Sequence, residues 1–144
     1  MKPFTLDTVL KHRKNLETQA IQRLVKARKE ENIAQDKLKK EEDILAALID
    51  TLSREQTLGI DVVKLVQFEQ RITLIEQQVL VLRTILQQKK KAVNQAQEHL
   101  LSKSKERKIM ETLQQKQDQA WQQYLNHKET AILDEIAVIF HGRE

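Results

Sequence analysis

The sequence predicts an all-α protein: a two-helix antiparallel coiled-coil hairpin whose second helix extends past the first. Between Leu65 and Leu100, apolar side chains recur at alternating spacings of three and four residues. This is the pattern of a helix that buries one narrow face against another helix. The composition agrees, because the 144 residues include two glycines, one proline, no cysteine and 32% charged residues. Such a composition is typical of long helices and coiled coils.

Each predicted helix has one face suited to burial, and a helix cannot bury such a face alone. The face of the second helix consists of Leu65, Phe68, Ile72, Ile75, Val79, Leu82, Leu86, Lys89, Val93, Ala96 and Leu100. The face of the first helix is weaker and consists of Leu24, Ala27, Glu31, Ala34, Leu38, Glu41, Leu45, Leu48 and Leu52. Its alanines allow a partner helix to approach closely, so we expect the two faces to pack together.

The chain is predicted to form a single hairpin over residues 1–144. We expect a first helix over about 5–56, a turn at about 58–61 and a second helix over about 61–139. Because a helix rises about 1.5 Å per residue, the second helix should extend well beyond the N-terminus of the first. This extension carries an apolar stripe with no expected cover inside the chain, which is typical of a partner site.

The predicted helix limits rest on a few residues with known capping roles. Thr5 is a suitable N-cap for the first helix, and Phe4 and Val9 have the spacing of a hydrophobic staple. Gly59 followed by Asp61 is a common combination of a helix stop and a new N-cap. The alternative is one continuous helix that tolerates the glycine.

A second apolar surface is expected beside the buried face of the second helix. Leu74, Val81 and Ile85 flank that face, and the part of the first helix expected opposite them is too polar to cover the width. Long lysine and glutamine side chains could cover these residues. Self-association of the hairpin or binding of another protein are the other two explanations.

The sequence contains no arrangement that predicts catalysis, a metal site or a cofactor, so the protein is not expected to be an enzyme. The four histidines are dispersed, there is no cysteine for a zinc site, and glycine is too scarce for a phosphate-binding loop. The net charge is only +4. The basic runs at Lys89–Lys91 and Lys103–Lys108 lack interleaved aromatic residues, so nucleic acid is not an expected partner.

The chain has no segment that predicts secretion or a membrane span. The N-terminal residues lack the apolar core of a signal peptide. The most apolar segments, Val79–Leu86 and Ile132–Phe140, are far shorter than a bilayer requires. The absence of cysteine fits a reducing compartment. These features favour a cytoplasmic protein.

Three segments carry a more specific signal than the helical periodicity. They are Phe4–Leu10 at the N-terminus, the basic Glu106–Leu113 with its glutamates and leucine, and Leu133–Ala137 with its Asp-Glu pair. In this order and spacing, together with the Gly59-Ile60 turn and the total length, they resemble the FliJ family, the coiled-coil stalk proteins of flagellar type III export. The resemblance spans the whole chain.

The resemblance implies a non-enzymatic part of the protein-export apparatus that serves flagellum biogenesis, motility and chemotaxis. The family's coiled coil enters the ring of the export ATPase hexamer and promotes its assembly and activity. It also engages the cytoplasmic domain of the membrane export gate and cycles export chaperones. The protein would then be cytoplasmic and associate with the cell membrane through its partners. A homo-oligomeric coiled-coil scaffold and the stalk of a virulence type III secretion system are the alternatives.

The resemblance also implies two sets of binding residues. The set expected to contact the ATPase comprises Phe4, Leu6, Leu10, Arg13, Lys108, Glu111, Leu113, Trp121, Tyr124, Ile132, Asp134, Glu135 and Ile136. The set expected to contact the export gate comprises Arg71, Leu74, Ile75, Gln78, Val81, Leu82 and Ile85. Arg71 departs from the aromatic residue that the family is expected to have at this position.

Overall fold

The computed structural model describes residues 6–142, and this range consists of two α-helices without a strand. The helix α1 spans Asp7–Leu58 and the helix α2 spans Val62–Gly142. The two helices pack against each other, which confirms the predicted all-α helical hairpin. Thr5 and Phe4, the expected cap and staple residues, lie outside the described range. Both helices end two to three residues later than the sequence pattern indicated.

The chain reverses at the three residues Gly59–Asp61 between the helices. Gly59 has a φ of 93°, a backbone conformation that residues with a Cβ rarely adopt. Its N–H donates a hydrogen bond to the carbonyl of Gln56 at 3.3 Å. The N–H of Leu65 donates to the carbonyl of Asp61 at 3.0 Å, which closes the first turn of α2. The continuous-helix alternative is therefore wrong.

The chain divides into two compact units, of which Ala20–Leu100 is one. Within it, α1 and α2 run antiparallel and bury a narrow core. The larger cluster joins Ala34, Leu38 and Leu48 to Ile75, Val79 and Leu86. A smaller cluster joins Leu24 to Val93 and Ala96. Every residue predicted for the two packing faces is buried or half-buried, so the periodicity identified the core of this unit correctly.

Polar pairs border this core. Lys89, the one lysine of the predicted α2 face, lies with its Nζ 3.3 Å from the carboxylate of Glu30. Arg83 Nη2 lies 3.4 Å from Glu42 Oε1. Both pairs are partly exposed, so each contributes little to stability, but both connect opposite helices. The two pairs therefore show which residues of α1 and α2 face each other in this unit.

The second unit contains the described residues of the first 19 positions together with the chain from Leu101 onward. Leu10 and Met110, at 3% and 4% exposure, are its buried apolar residues. From Gln122 to Gly142, by contrast, every residue is exposed. This last part of α2 is therefore the uncovered extension that the unequal helix lengths predicted. No helix in the described range is both long and apolar enough to cross a membrane.

Candidate partner-binding surfaces

An ionic cluster joins the N-terminal part of α1 to α2 in the second unit. Arg107 Nε lies 2.8 Å from Glu17 Oε1, and Arg107 Nη1 lies 2.7 Å from Glu111 Oε2. Hydrogen bonds from Ser104 and from Arg107 hold the pKa of Glu17 below its ordinary value. The same carboxylates raise the pKa of Arg107, with Glu17 the larger cause. The cluster therefore ties α1 to α2 through Glu17 and Arg107.

Three residues assigned to ATPase binding have structural roles in this unit. Leu10 is buried. Arg13 Nη1 donates a hydrogen bond to the carbonyl oxygen of Glu106 at 2.9 Å. Glu111 belongs to the ionic cluster through Arg107. These side chains make contacts within the chain. They therefore hold α1 against α2 and contribute little exposed area to the surface expected to contact the ATPase.

Other residues of that set are accessible. Leu6, Lys108 and Leu113 are exposed, whereas Phe4 lies outside the described residues. Lys108 and Leu113 line a shallow groove on α2, and its full lining is Lys105, Lys108, Ile109, Thr112, Leu113 and Lys116. The lining contains three lysines and no carboxylate, so this surface favours an anionic partner.

The two large aromatic residues of the set form a single feature. The rings of Trp121 and Tyr124 stack with their centroids 5.4 Å apart and an interplanar angle of 24°. Trp121 is half-buried and Tyr124 is exposed. With Gln117 and Ala120 they line a second shallow groove. Stacking fixes both rings, so the groove is a preformed apolar surface.

Four of the eight large apolar residues exposed in the uncovered extension fall on one side of α2. We call this the terminal stripe, and it consists of Leu125, Ile132, Ile136 and Ile139. With 3.6 residues per turn, these side chains lie within an arc of about 60°. Their exposed fractions range from 38% to 56%. Such an apolar face normally packs against another helix.

The site residues predicted in this region only partly coincide with the terminal stripe. Ile132 and Ile136 belong to it, and Glu135 lies at its edge. Asp134 lies on the opposite side of the helix, about 160° from Ile132. Leu125 and Ile139 were not among the predicted site residues, although their helical spacing from Ile132 is the signal that identifies them.

The residues assigned to the export gate lie in the Ala20–Leu100 unit and are divided between core and surface. Ile75 is buried in the core and Leu82 is half-buried. Leu74, Gln78 and Val81 are exposed and line one groove, whose members are Glu41, Leu74, Gln77, Gln78, Val81 and Leu82. Arg71 lines a separate groove near the turn.

The exposed apolar surface of this unit is wider than the predicted set. Ile85 lines a neighbouring groove together with Ile33 of α1, which is also exposed. Ile33 is not among the predicted site residues. We call the exposed residues Ile33, Leu74, Val81 and Ile85 the lateral patch. Both helices contribute to it, and its residues are 36% to 60% exposed.

The described residues form a helical hairpin with open apolar surfaces, a feature typical of coiled coils that have binding partners. Within 6–142, no group of acidic, histidine or cysteine residues could hold a metal. The model of the FliJ family, described as the flagellar FliJ protein, matches residues 1–144. The chain therefore belongs to the FliJ family and is a component of the flagellar type III export apparatus. Comparisons with curated proteins and with solved structures gave no match.

Proposed function

We propose that this protein is the stalk of the flagellar export ATPase. In this role the C-terminal part of α2 enters the ATPase ring and promotes its assembly and activity. The hairpin also binds the cytoplasmic domain of the export gate and engages export chaperones. Association with the cytoplasmic membrane then occurs through these partners, because the described helices contain no membrane span.

One observation carries this proposal: from Gln122 to Gly142 α2 is exposed throughout, yet it contains the terminal stripe. An uncovered apolar stripe marks a surface that another protein binds. A single helix is also slender enough, at about 10–12 Å across with its side chains, to enter a ring. The stacked Trp121 and Tyr124 provide rigid apolar area close to the start of this segment.

The ionic cluster of Glu17, Arg107 and Glu111 supports the proposal in a second way. A stalk transmits force only if its helices do not separate. This cluster joins α1 and α2 within the second unit. Lys108 and Leu113 lie on the accessible side of the same unit. We assign them to contacts with an acidic part of the ATPase.

The lateral patch is the proposed binding surface for the export gate. It is exposed, apolar and built from both helices. Ile75 is excluded from direct contact by its burial, so Leu74, Val81 and Ile85 are the assigned contact residues. A scaffold that uses the α1 and α2 packing faces between different chains is less well supported, because those faces are occupied within the chain.

The proposal is tested by measuring ATP turnover and ring formation of the cognate export ATPase with the full-length protein. Ile132→Asp should lower the stimulation about tenfold or more, because it places a charge in the terminal stripe. Val81→Asp should leave stimulation unchanged and weaken binding to the gate domain instead. Equal turnover with and without the wild-type protein, and no detectable complex, would refute the proposal.

A further inference from the structure

We infer that the terminal stripe also binds a second copy of this chain, giving a reversible antiparallel dimer of two α2 extensions. The inference concerns self-association of the free protein and does not depend on the proposed role in the ATPase ring. Its starting point is that none of the residues in 6–142 covers Leu125, Ile132 and Ile139.

The spacing of the stripe is self-complementary. Leu125 lies seven residues before Ile132, and Ile139 lies seven residues after it. A two-fold axis at Ile132 therefore places Leu125 against the partner's Ile139 at both ends of the contact. An isologous contact of this kind closes on itself, so it yields dimers and not fibres.

The charges at the edge of the stripe agree with the same arrangement. Lys128 lies four residues before Ile132 and Glu135 three residues after it. Both project from the same edge of the stripe, and in an antiparallel pair like edges face each other. Each Lys128 then lies beside the partner's Glu135, and the two-fold axis forms this attractive pair twice. In a parallel dimer opposite edges would face each other instead, so Lys128 and Glu135 would not meet.

The size of the contact indicates a weak dimer. The exposed segment from 122 to 142 is about 30 Å long, which corresponds to about three heptads. This is at the small end of specific interfaces, so we expect a dissociation constant in the micromolar range. A dimer of this kind conceals the terminal stripe at high concentration and releases it when the protein is dilute or another partner competes.

Sedimentation of the full-length protein over a range of concentrations provides the first test. The wild type should change from a monomer of 16.9 kDa to a dimer as concentration rises. Ile132→Asp should remain monomeric, because it places two carboxylates together at the axis. Val138→Asp is the matched control and should dimerise as the wild type does, because Val138 is exposed and lies about 120° around α2 from Ile132. A wild type that stays monomeric, or an Ile132→Asp variant that dimerises normally, overturns the inference.

Crosslinking tests the orientation, and the absence of native cysteine makes single-cysteine variants unambiguous. With a short bismaleimide, Ile132→Cys should crosslink to itself. Leu125→Cys alone should not, because two copies of this residue lie about 21 Å apart along the axis of an antiparallel dimer. A mixture of Leu125→Cys and Ile139→Cys should crosslink. Efficient crosslinking of Leu125→Cys to itself would show a parallel pair and refute the arrangement.

Charge reversal provides a test that keeps the helix surface otherwise intact. Lys128→Glu should weaken the dimer about tenfold, since it replaces two attractive pairs by two repulsive ones. Glu135→Lys should do the same. The double variant restores opposite charges and should return to within about threefold of the wild-type dissociation constant. Additive weakening in the double variant would contradict the inferred register.

Discussion

Two apolar stripes on the same helix have different surroundings. In the Ala20–Leu100 unit, Ile75, Val79 and Leu86 pack against α1 and are at most 7% exposed. In the segment from 122 to 142, the terminal stripe has the same kinds of side chain at helical spacing, yet its residues are 38% to 56% exposed. Periodicity therefore defines which side of a helix can pack. Whether that side packs within the chain depends on whether α1 lies beside it.

The largest expected effect is on the covered stripe. Val79→Asp should reduce the free energy of unfolding by about 4 kcal/mol, because it buries an unpaired carboxylate at a position that is 3% exposed. Val81→Asp, at a position that is 60% exposed, should change it by less than about 0.5 kcal/mol. Urea unfolding followed by circular dichroism measures both. Similar losses in the two variants would show that this flank is packed as tightly as the core.

The next effect concerns the turn that brings α1 against the covered stripe. Gly59→Ala should cost about 1–2 kcal/mol, because Gly59 has a φ of 93°. An added Cβ would meet no atom within 4 Å, so the loss would come from the backbone conformation alone. Gly142→Ala is the control, since it lies in a helix with equally free space. Unfolding curves that coincide for Gly59→Ala and the wild type would refute this reading of the turn.

The sequence predicted the packing faces of the Ala20–Leu100 unit better than the contacts within the second unit. Every residue that the helical spacing assigned to the two packing faces, including Lys89, is buried or half-buried, because burial in a coiled coil repeats regularly along the chain. Ala20, at 2% exposure, is a buried residue of α1 that was not assigned. The individual roles of Leu10, Arg13 and Glu111 could not be predicted in the same way. Their engagement depends on which residues of α1 meet α2, and the sequence does not define that pairing to a single residue.

The unknown pairing of α1 with α2 also limited the prediction of the exposed apolar surfaces. The lateral patch combines Ile33 with residues of α2 that are distant in sequence, so only the packed hairpin brings them together. The terminal stripe is contained in one helix, and its spacing was visible in the sequence. The uncovered length of α2 followed from the unequal helix lengths.

A smaller effect on stability is expected at the ion pair between Glu17 of α1 and Arg107 of α2. Because the pKa of Glu17 is lowered in the folded protein, its ionised form stabilises the fold above pH 4.5, its ordinary pKa, and this contribution is lost as the pH falls further. Glu17→Gln should therefore melt at a lower temperature than the wild type at pH 7, and the difference should shrink below pH 4.5. Glu129→Gln, in the exposed segment, is the control and should melt at the wild-type temperature at pH 7. A Glu17→Gln difference that is constant with pH would show that its carboxylate charge is not what joins the helices.

The smallest expected effect on stability is at the terminal stripe, and it is the sharpest test of the comparison. Ile132→Asp makes the same kind of substitution as Val79→Asp, but Ile132 is already 50% exposed. At low protein concentration, where the chain is monomeric, the free energy of unfolding should change by no more than about 0.5 kcal/mol. The helix propensities of isoleucine and aspartate differ by only a few tenths of a kcal/mol, so backbone effects are also small.

A loss above about 1 kcal/mol in Ile132→Asp would show that the extension packs against its own chain in solution. The terminal stripe would then resemble the covered stripe, and the contrast between the two regions would disappear. Ile132→Asp is instead expected to leave the unfolding curve unchanged and to lose binding to a partner or to a second copy. That result would separate an apolar face used for folding from one used for binding. Val79 then contributes to folding, whereas Ile132 contributes only when another molecule supplies the missing helix.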